Sequence, residues 1–178
     1  MSSKRPPVVV DANKMTTIQD LFKIGMAREI PDLLSKVGGV QINVGAGEWK
    51  VLENTTPIDY PEYDAENDVL PYGDGTVDVI HAYHFLEHIA KPIEVLKDFD
   101  RVLKVGGYAN IVVPYYNSGL QAMNLQHLSA YSERTWDALF EDDTYDTGFG
   151  DWNLEVHTTF IMGVVERNLS LVTQLVKR

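Results

Sequence analysis

Val40-Gln41-Ile42-Asn43-Val44-Gly45-Ala46-Gly47 is the stretch that decides the fold. Its first five residues alternate apolar and polar, the two-residue period of a strand whose successive side chains point to opposite faces. Glycines follow at once, and a backbone without Cβ atoms can turn sharply and let a ligand lie close against it. A dinucleotide-binding turn would add a third glycine, G-x-G-x-x-G, ahead of a helix that receives a pyrophosphate. Here position 50 is Lys50 and no helical pattern follows, which disfavours NAD. By itself this G-x-G serves a plain tight turn equally well.

Downstream, residues 48–75 are rich in Pro, Asp, Asn and Gly, and only short strands fit, one ending near Asp59 and another near Asp64. Residues 76–83 read as a buried strand. Pro92 opens a helix at a position that needs no N–H donor. Leu96, Phe99 and Leu103 form its inner face beside Val102, and Gly106-Gly107 closes it. Residues 108–113 are a further strand, stopped by Pro114. A short helix follows Ser132, with Trp136, Leu139 and Phe140 as its apolar stripe, then an acidic turn-forming segment over 141–151. Residues 155–165 and 168–176 pair as a terminal hairpin.

Upstream, a helix is expected over 16–36, opened by a Thr16/Gln19 capping box, interrupted near Ile30 by Pro31 and ended by Gly38-Gly39. Residues 1–14 read as a flexible tail and 15–178 as one domain. Alternating strands and helices call for a mostly parallel sheet with both faces covered. The expected fold is α/β: a Rossmann-like three-layer α/β/α sandwich with an antiparallel C-terminal hairpin. Such sheets bind ligands at the carboxyl ends of their strands, so function belongs in the loops after residues 44, 59, 83 and 113.

At 178 residues the chain suits a single core, and 44% hydrophobic residues suit an ordinary globule. No apolar run approaches the roughly 18 to 20 residues of a membrane span, and the N-terminus lacks the apolar core of a secretory signal. There is no cysteine, which excludes disulfides, thiolate metal ligands and a thiol nucleophile, and suits a cytoplasmic location. A net charge of −11 argues against nucleic acid as a partner, because phosphate contacts need a basic face. Its plainest reading is solubility.

Three more segments carry candidate chemistry. Asp59, at the end of Pro57-Ile58-Asp59, could accept hydrogen bonds from both hydroxyls of a ribose, or simply serve a turn. Asp64-Ala65-Glu66-Asn67-Asp68-Val69 holds two carboxylates each followed by an apolar residue. Such a pair can read adenine, the acid accepting from the exocyclic amine and the next backbone N–H donating to a ring nitrogen; a solvated acidic loop is the alternative. His81-Ala82-Tyr83-His84-Phe85-Leu86-Glu87-His88 ends a buried strand in a histidine-rich turn. His84 and His88, four apart, could share a helix face and bind metal. However, Glu87 does not follow the first histidine as in the zinc-protease pattern, and no metal is expected. Arg101-Val102-Leu103-Lys104-Val105-Gly106-Gly107 reads as scaffold.

In order and spacing, INVGAG, an acid, DVLPYGDGTVDVIHAYHFLEHI and RVLKVGGYANIVVP resemble the small class I S-adenosylmethionine-dependent methyltransferases. These carry an LNLGCG-type loop, an LPF-D-SFD stretch, a VLEH turn and an RVLKPGG helix end. The resemblance spans about residues 40–114, and QHLSAYSERTWDALF resembles a later family segment. It implies S-adenosylmethionine as cofactor, with Gly45, Ala46 and Gly47 beside its methionine part and Asp59 on its ribose. Asp64 or Asp68 with Val69 would meet the adenine, Asp64 being preferred. His81, Ala82 and His84 would line the cofactor from below. Asn43 stands where many relatives have an acid, and the stretch between Gly47 and Asp59 is too short for the usual helix.

Methyl transfer is an in-line displacement that depends mainly on alignment, with a base needed only for a protonated acceptor. His84, His127, Tyr83 and Tyr115 are placed to act as that base, His84 and His127 foremost. Cytosine C5 methylation needs a cysteine, and exocyclic-amine DNA methylases need an (N/D)-P-P-(Y/F) turn where this chain has His81-Ala82-Tyr83-His84. A small-molecule or protein methyl acceptor is therefore expected. The rival reading is a domain that binds S-adenosylmethionine or S-adenosylhomocysteine without catalysis.

Overall fold

In the computed structural model, which describes residues 39–47, 55–140, 153–164 and 168–178, the opening stretch forms strand β1 (Gln41–Val44). β2 (Thr56–Ile58), β3 (Val77–Tyr83) and β4 (Leu103–Pro114) run parallel to it, and β5 (Leu154–Val164) and β6 (Asn168–Lys177) form an antiparallel hairpin on β4. The sheet order is β2-β1-β3-β4-β6-β5. This is the Rossmann-like arrangement, hairpin included. The chain leaves β1 on one side into β2 and returns on the other into β3. Loops after β1 and β3 therefore diverge and leave a crevice at their carboxyl ends.

Strand period two gives the sheet two unlike faces. On one, Ile42, Val44, Ile80, Ala82, Ala109, Ile111 and Val113 form a single apolar core with α1 (Pro92–Val102) and α3 (Glu133–Phe140). α1 contributes Val95, Leu96, Phe99 and Val102, and α3 contributes Trp136, all buried. Each such side chain contributes about 1.5–3 kcal/mol relative to exposure. On the other face, Asn43, His81, Asn110 and Gln174 stand side by side across four strands, all buried. Gln174 Nε2 donates to Asn110 Oδ1 at 3.0 Å, and the Tyr83 hydroxyl lies 2.7 Å from His81 Nδ1.

Some boundaries differ from expectation. α1 ends at Val102, and Leu103 already opens β4, because Thr76 and Gly75 donate backbone N–H groups to Val102 and Arg101. Gly106-Gly107 therefore lies inside β4, where the register jumps from Val77↔Leu103 to Val79↔Tyr108. A Cβ on Gly107 would sit 2.9 Å from Lys104 O and 3.0 Å from Asp78 O, so this bulge admits only glycine. β4 also runs through Pro114, paired with Ser170, instead of stopping before it. No strand forms near Asp64, whose side chain organises a turn instead. Sequence reading missed α2 (Gly119–Met123), capped when Ser118 Oγ accepts from Gln121 N. The expected tail over 1–14 and helix over 16–36 lie outside the described residues. Among those described, no helix is long and apolar enough to cross a membrane.

The scaffold segment has a definite task. Arg101 on α1 bonds Asp98 through Nε at 2.6 Å, the carbonyls of Tyr72 and Leu70 at 2.8 and 3.1 Å, and Asp74 at 3.0 Å. Asp98 in turn accepts the Leu70 N–H at 2.6 Å. The 70–74 loop is thus clamped to α1. Arg101→Ala is expected to lower unfolding free energy by about 2 kcal/mol, discounted because the guanidinium is partly exposed. Urea unfolding reads this directly, and a loss under about 0.5 kcal/mol, typical of an open surface pair, would contradict the clamp.

Candidate functional site

β1 runs out into Gly45 with φ 68° and Gly47 with φ 52°, the left-handed region that favours glycine. Gly45 N–H donates to Ile58 O at 2.9 Å, which extends the β1–β2 pairing beyond the strand end. A Cβ on Gly45 would lie 2.3 Å from Cδ2 of Phe85. The sequence reading assigned the bareness of this glycine to a ligand; the space beside its Cα is filled by the Phe85 ring. Ala46 is buried.

Asp59 follows β2 and ties it to the turn after β1. Its Oδ2 accepts the Gly47 N–H at 2.5 Å and its Oδ1 the Tyr60 N–H at 2.9 Å. A carboxylate has about four acceptor sites, so these two bonds leave capacity on both oxygens. Asp64 accepts from Glu66 N at 3.0 Å and Asn67 Nδ2 at 2.9 Å. Those bonds, Asn67 first, hold its carboxyl below the ordinary carboxylate pKa. Asp68 is exposed and closes the same turn, accepting the Asp64 N–H at 2.9 Å; Val69 beside it is also exposed.

Between these segments lies an open cleft of about 160 Å³ walled by Gly45, Asp59, Tyr63, Asp64, Ala65 and Phe85, with Ile89 beside them. That is smaller than the roughly 300–1,000 Å³ of an enclosed small-molecule site, as suits a groove that opens to solvent. Burial, then the Asp98 charge, pushes the Tyr63 phenol up to about 12, so it stays protonated. The cleft offers carboxylate acceptors on Asp59, Asp64 and Glu66, with apolar surface beside them. That set fits a nucleoside, whose hydroxyls and exocyclic amine are donors and whose base is a flat ring.

The other predicted residues lie around this cleft rather than along its wall. Asn43 and His81 are neighbours in the buried polar row, and Ala82 faces the apolar core. Burial holds His81 down at about 4, so its imidazole is neutral. His84 adopts φ 53°, unusual for a residue with a side chain, and donates its N–H to Val112 O at 2.7 Å. Its Nδ1 lies 3.1 Å from Oε1 of the buried Glu87. His127 packs edge-on against His88, ring centroids 4.9 Å apart. Sequence reasoning missed Phe85, Tyr63 and Ile89 as cleft residues and Glu87 as the partner of His84. The spacing from His84 to Glu87, one turn apart, was the available signal.

Residues 26–111 match the family model described as methyltransferase domain. No protein of curated function matches in sequence. Among solved structures, a SAM-dependent methyltransferase from Archaeoglobus fulgidus superposes with TM-score 0.62 at 14% identity, covering 92% of this chain and 97% of its own. One from Thermotoga maritima gives 0.55 at 14%, covering 90% and 100%. The methyltransferase CalH, in complex with S-adenosylhomocysteine, gives 0.58 at 11%, covering 79% and 52%. Sheet order and the crevice beside β1 are those of the fold these methyltransferase structures share, and residues 26–111, just under half of the chain, resemble a methyltransferase domain.

Proposed function

We propose that the chain transfers the methyl group of S-adenosylmethionine to a small molecule or to a group on another protein. The observation that carries this reading is Asp59, bonded to the Gly47 N–H at the strand switch, with Asp64 across the same cleft. Asp59 would hold the ribose hydroxyls. Asp64 and the Ala65 N–H would hold the adenine edge, and Phe85 and Ile89 would cover its ring. When bound, the cofactor supplies a methyl already activated by a positive sulfur. The protein's task is then alignment and the exclusion of water.

His84 would serve the acceptor in this reading. With Nδ1–H donating to Glu87, Nε2 is left with a lone pair that can take a hydrogen bond from an acceptor hydroxyl or amine. The charge of −11 disfavours polyanionic acceptors such as nucleic acid.

Asp59→Ala is expected to weaken S-adenosylhomocysteine binding by about 1.5–3 kcal/mol, roughly 10- to 150-fold, through loss of charged hydrogen bonds. Unchanged affinity by calorimetry would reject the ribose assignment. Methyl transfer itself is tested with methyl-labelled S-adenosylmethionine and a panel of hydroxyl, amine and protein acceptors. Label should reach at least one acceptor class. Tight cofactor binding with no transfer to any of them would favour a binding module instead.

A further inference from the structure

We propose that Glu87, His88 and His127 hold a divalent transition-metal ion. The 3₁₀ turn Leu86–His88 presents Glu87 inward, with no exposed surface on the residue. Its Oε1 faces His84 Nδ1, while Oε2 is buried without a hydrogen-bond partner among the described residues. His127 Nδ1 is buried and unpartnered in the same way. An unpaired carboxylate oxygen and an unpaired ring nitrogen are both costly to bury, and the two lie in one small cluster. One donor atom each from Glu87, His88 and His127 falls within 4.8 Å of the others. A single cation would satisfy both orphaned atoms together.

The main chain builds this cluster. Glu87 O accepts the Leu128 N–H at 2.7 Å and the Ser129 N–H at 3.4 Å, which draws the 124–129 loop onto the 3₁₀ turn. Asn124 shapes that loop, accepting from Gln126 N through Oδ1 and from His127 N through its carbonyl. His127 is thereby seated beside His88. Donors around a tetrahedral ion with bonds of about 2.0–2.1 Å stand roughly 3.4 Å apart, so small side-chain rotations suffice to close the set. Two imidazoles and one carboxylate, with no sulfur, suit Zn2+, Co2+, Ni2+, Mn2+ or Fe2+ over Ca2+ or Mg2+. Three protein ligands leave a position open for water or an oxygen donor. The pairing that sequence spacing suggested, His84 with His88, is not the one in this cluster. His84 instead takes the other oxygen of Glu87, as a group that orients a ligand carboxylate does.

The proposal stands apart from methyl transfer and is tested without it. The full chain is stripped with a chelator, dialysed, and titrated with Zn2+ alone and with Co2+ alone. Bound metal is measured by elemental mass spectrometry and the Co2+ ligand-field spectrum recorded. Wild-type chain should retain a single equivalent and show the spectrum of nitrogen and oxygen ligation. His88→Ala and His127→Ala should each weaken binding on the order of 10- to 100-fold or more, whereas His157→Ala, at an exposed histidine on β5, should not. Both ligand variants sit at partly exposed positions, and circular dichroism checks that they fold. Absence of a retained equivalent in the wild type, or undiminished binding in folded His88→Ala and His127→Ala, would overturn the site.

Discussion

Gly45→Val is expected to lower unfolding free energy by about 3–5 kcal/mol, combining left-handed strain with overpacking. Two independent costs add at this position. A β-branched residue at φ 68° is strained whatever surrounds it. Its Cβ would also overlap the Phe85 ring, with Cδ2 at 2.3 Å and Cγ at 2.7 Å. Those ring atoms lie close to the backbone, so a rotation of the far end of the side chain does not relieve the overlap. Phe85→Ala in the same chain should recover the steric part and leave the backbone part. A double-mutant cycle by urea unfolding separates them, with Gly45→Ala as the milder partner. Additive effects of Gly45→Ala and Phe85→Ala would show that Phe85 is not what fills this space. The cleft proposed for the cofactor shares both residues, so Gly45→Val should lose S-adenosylhomocysteine affinity as a consequence of the displaced ring.

The second large effect is an acid sensitivity rooted in His81. Its imidazole is held at about 4, against an ordinary 6.5, because burial disfavours the charged form. The unfolded chain therefore takes up a proton below about pH 6.5 that the folded chain refuses until about pH 4. Stability from this group is present in full above pH 6.5 and is lost as pH falls through that window. The loss should reach about 2 kcal/mol at pH 5 and about 3 kcal/mol at pH 4. Other groups titrate in the same range, so the quantity to read is the difference between wild type and His81→Gln. Urea midpoints at pH 7, 6, 5 and 4 should fall less steeply in the variant. Parallel pH profiles for the two chains would mean that His81 is solvated in the fold.

Much of the architecture was legible because it rests on local periodicity. β1 and β3 announce themselves by alternation or by an apolar run, and α1 by Pro92 at its start and a repeating apolar face. Boundaries were less legible where tertiary pairing overrides local signals. Gly106-Gly107 looks like a helix cap, yet β3 captures the chain at Leu103 and the glycines fall in a bulge between two strands. The polar row Asn43, His81, Asn110 and Gln174 was invisible as a unit, because its members come from four separate strands. Each alone resembles an ordinary polar residue in an alternating pattern.

The same distinction applies to the site. Gly45, Asp59 and Asp64 could be singled out, since glycine and acids at strand ends carry a recognisable chemistry. Choosing between Asp64 and Asp68 needs the turn itself, where one acid stands on the cleft wall and the other accepts its neighbour's N–H. Phe85 gave no signal, because its role is to fill space over a glycine 40 residues earlier. The meeting of His88 with His127 depends on backbone bonds from Leu128 and Ser129 to Glu87, which no spacing rule contains.

Isothermal titration of the full chain with S-adenosylhomocysteine, paired with the same titration of Asp59→Ala and Asp64→Ala, reads the cleft most directly. One-to-one binding by the wild type, weakened in both variants while ATP and NAD produce no heat, is the expected result. A folded wild-type chain that binds neither S-adenosylhomocysteine nor S-adenosylmethionine would contradict the assignment of this cleft to the cofactor.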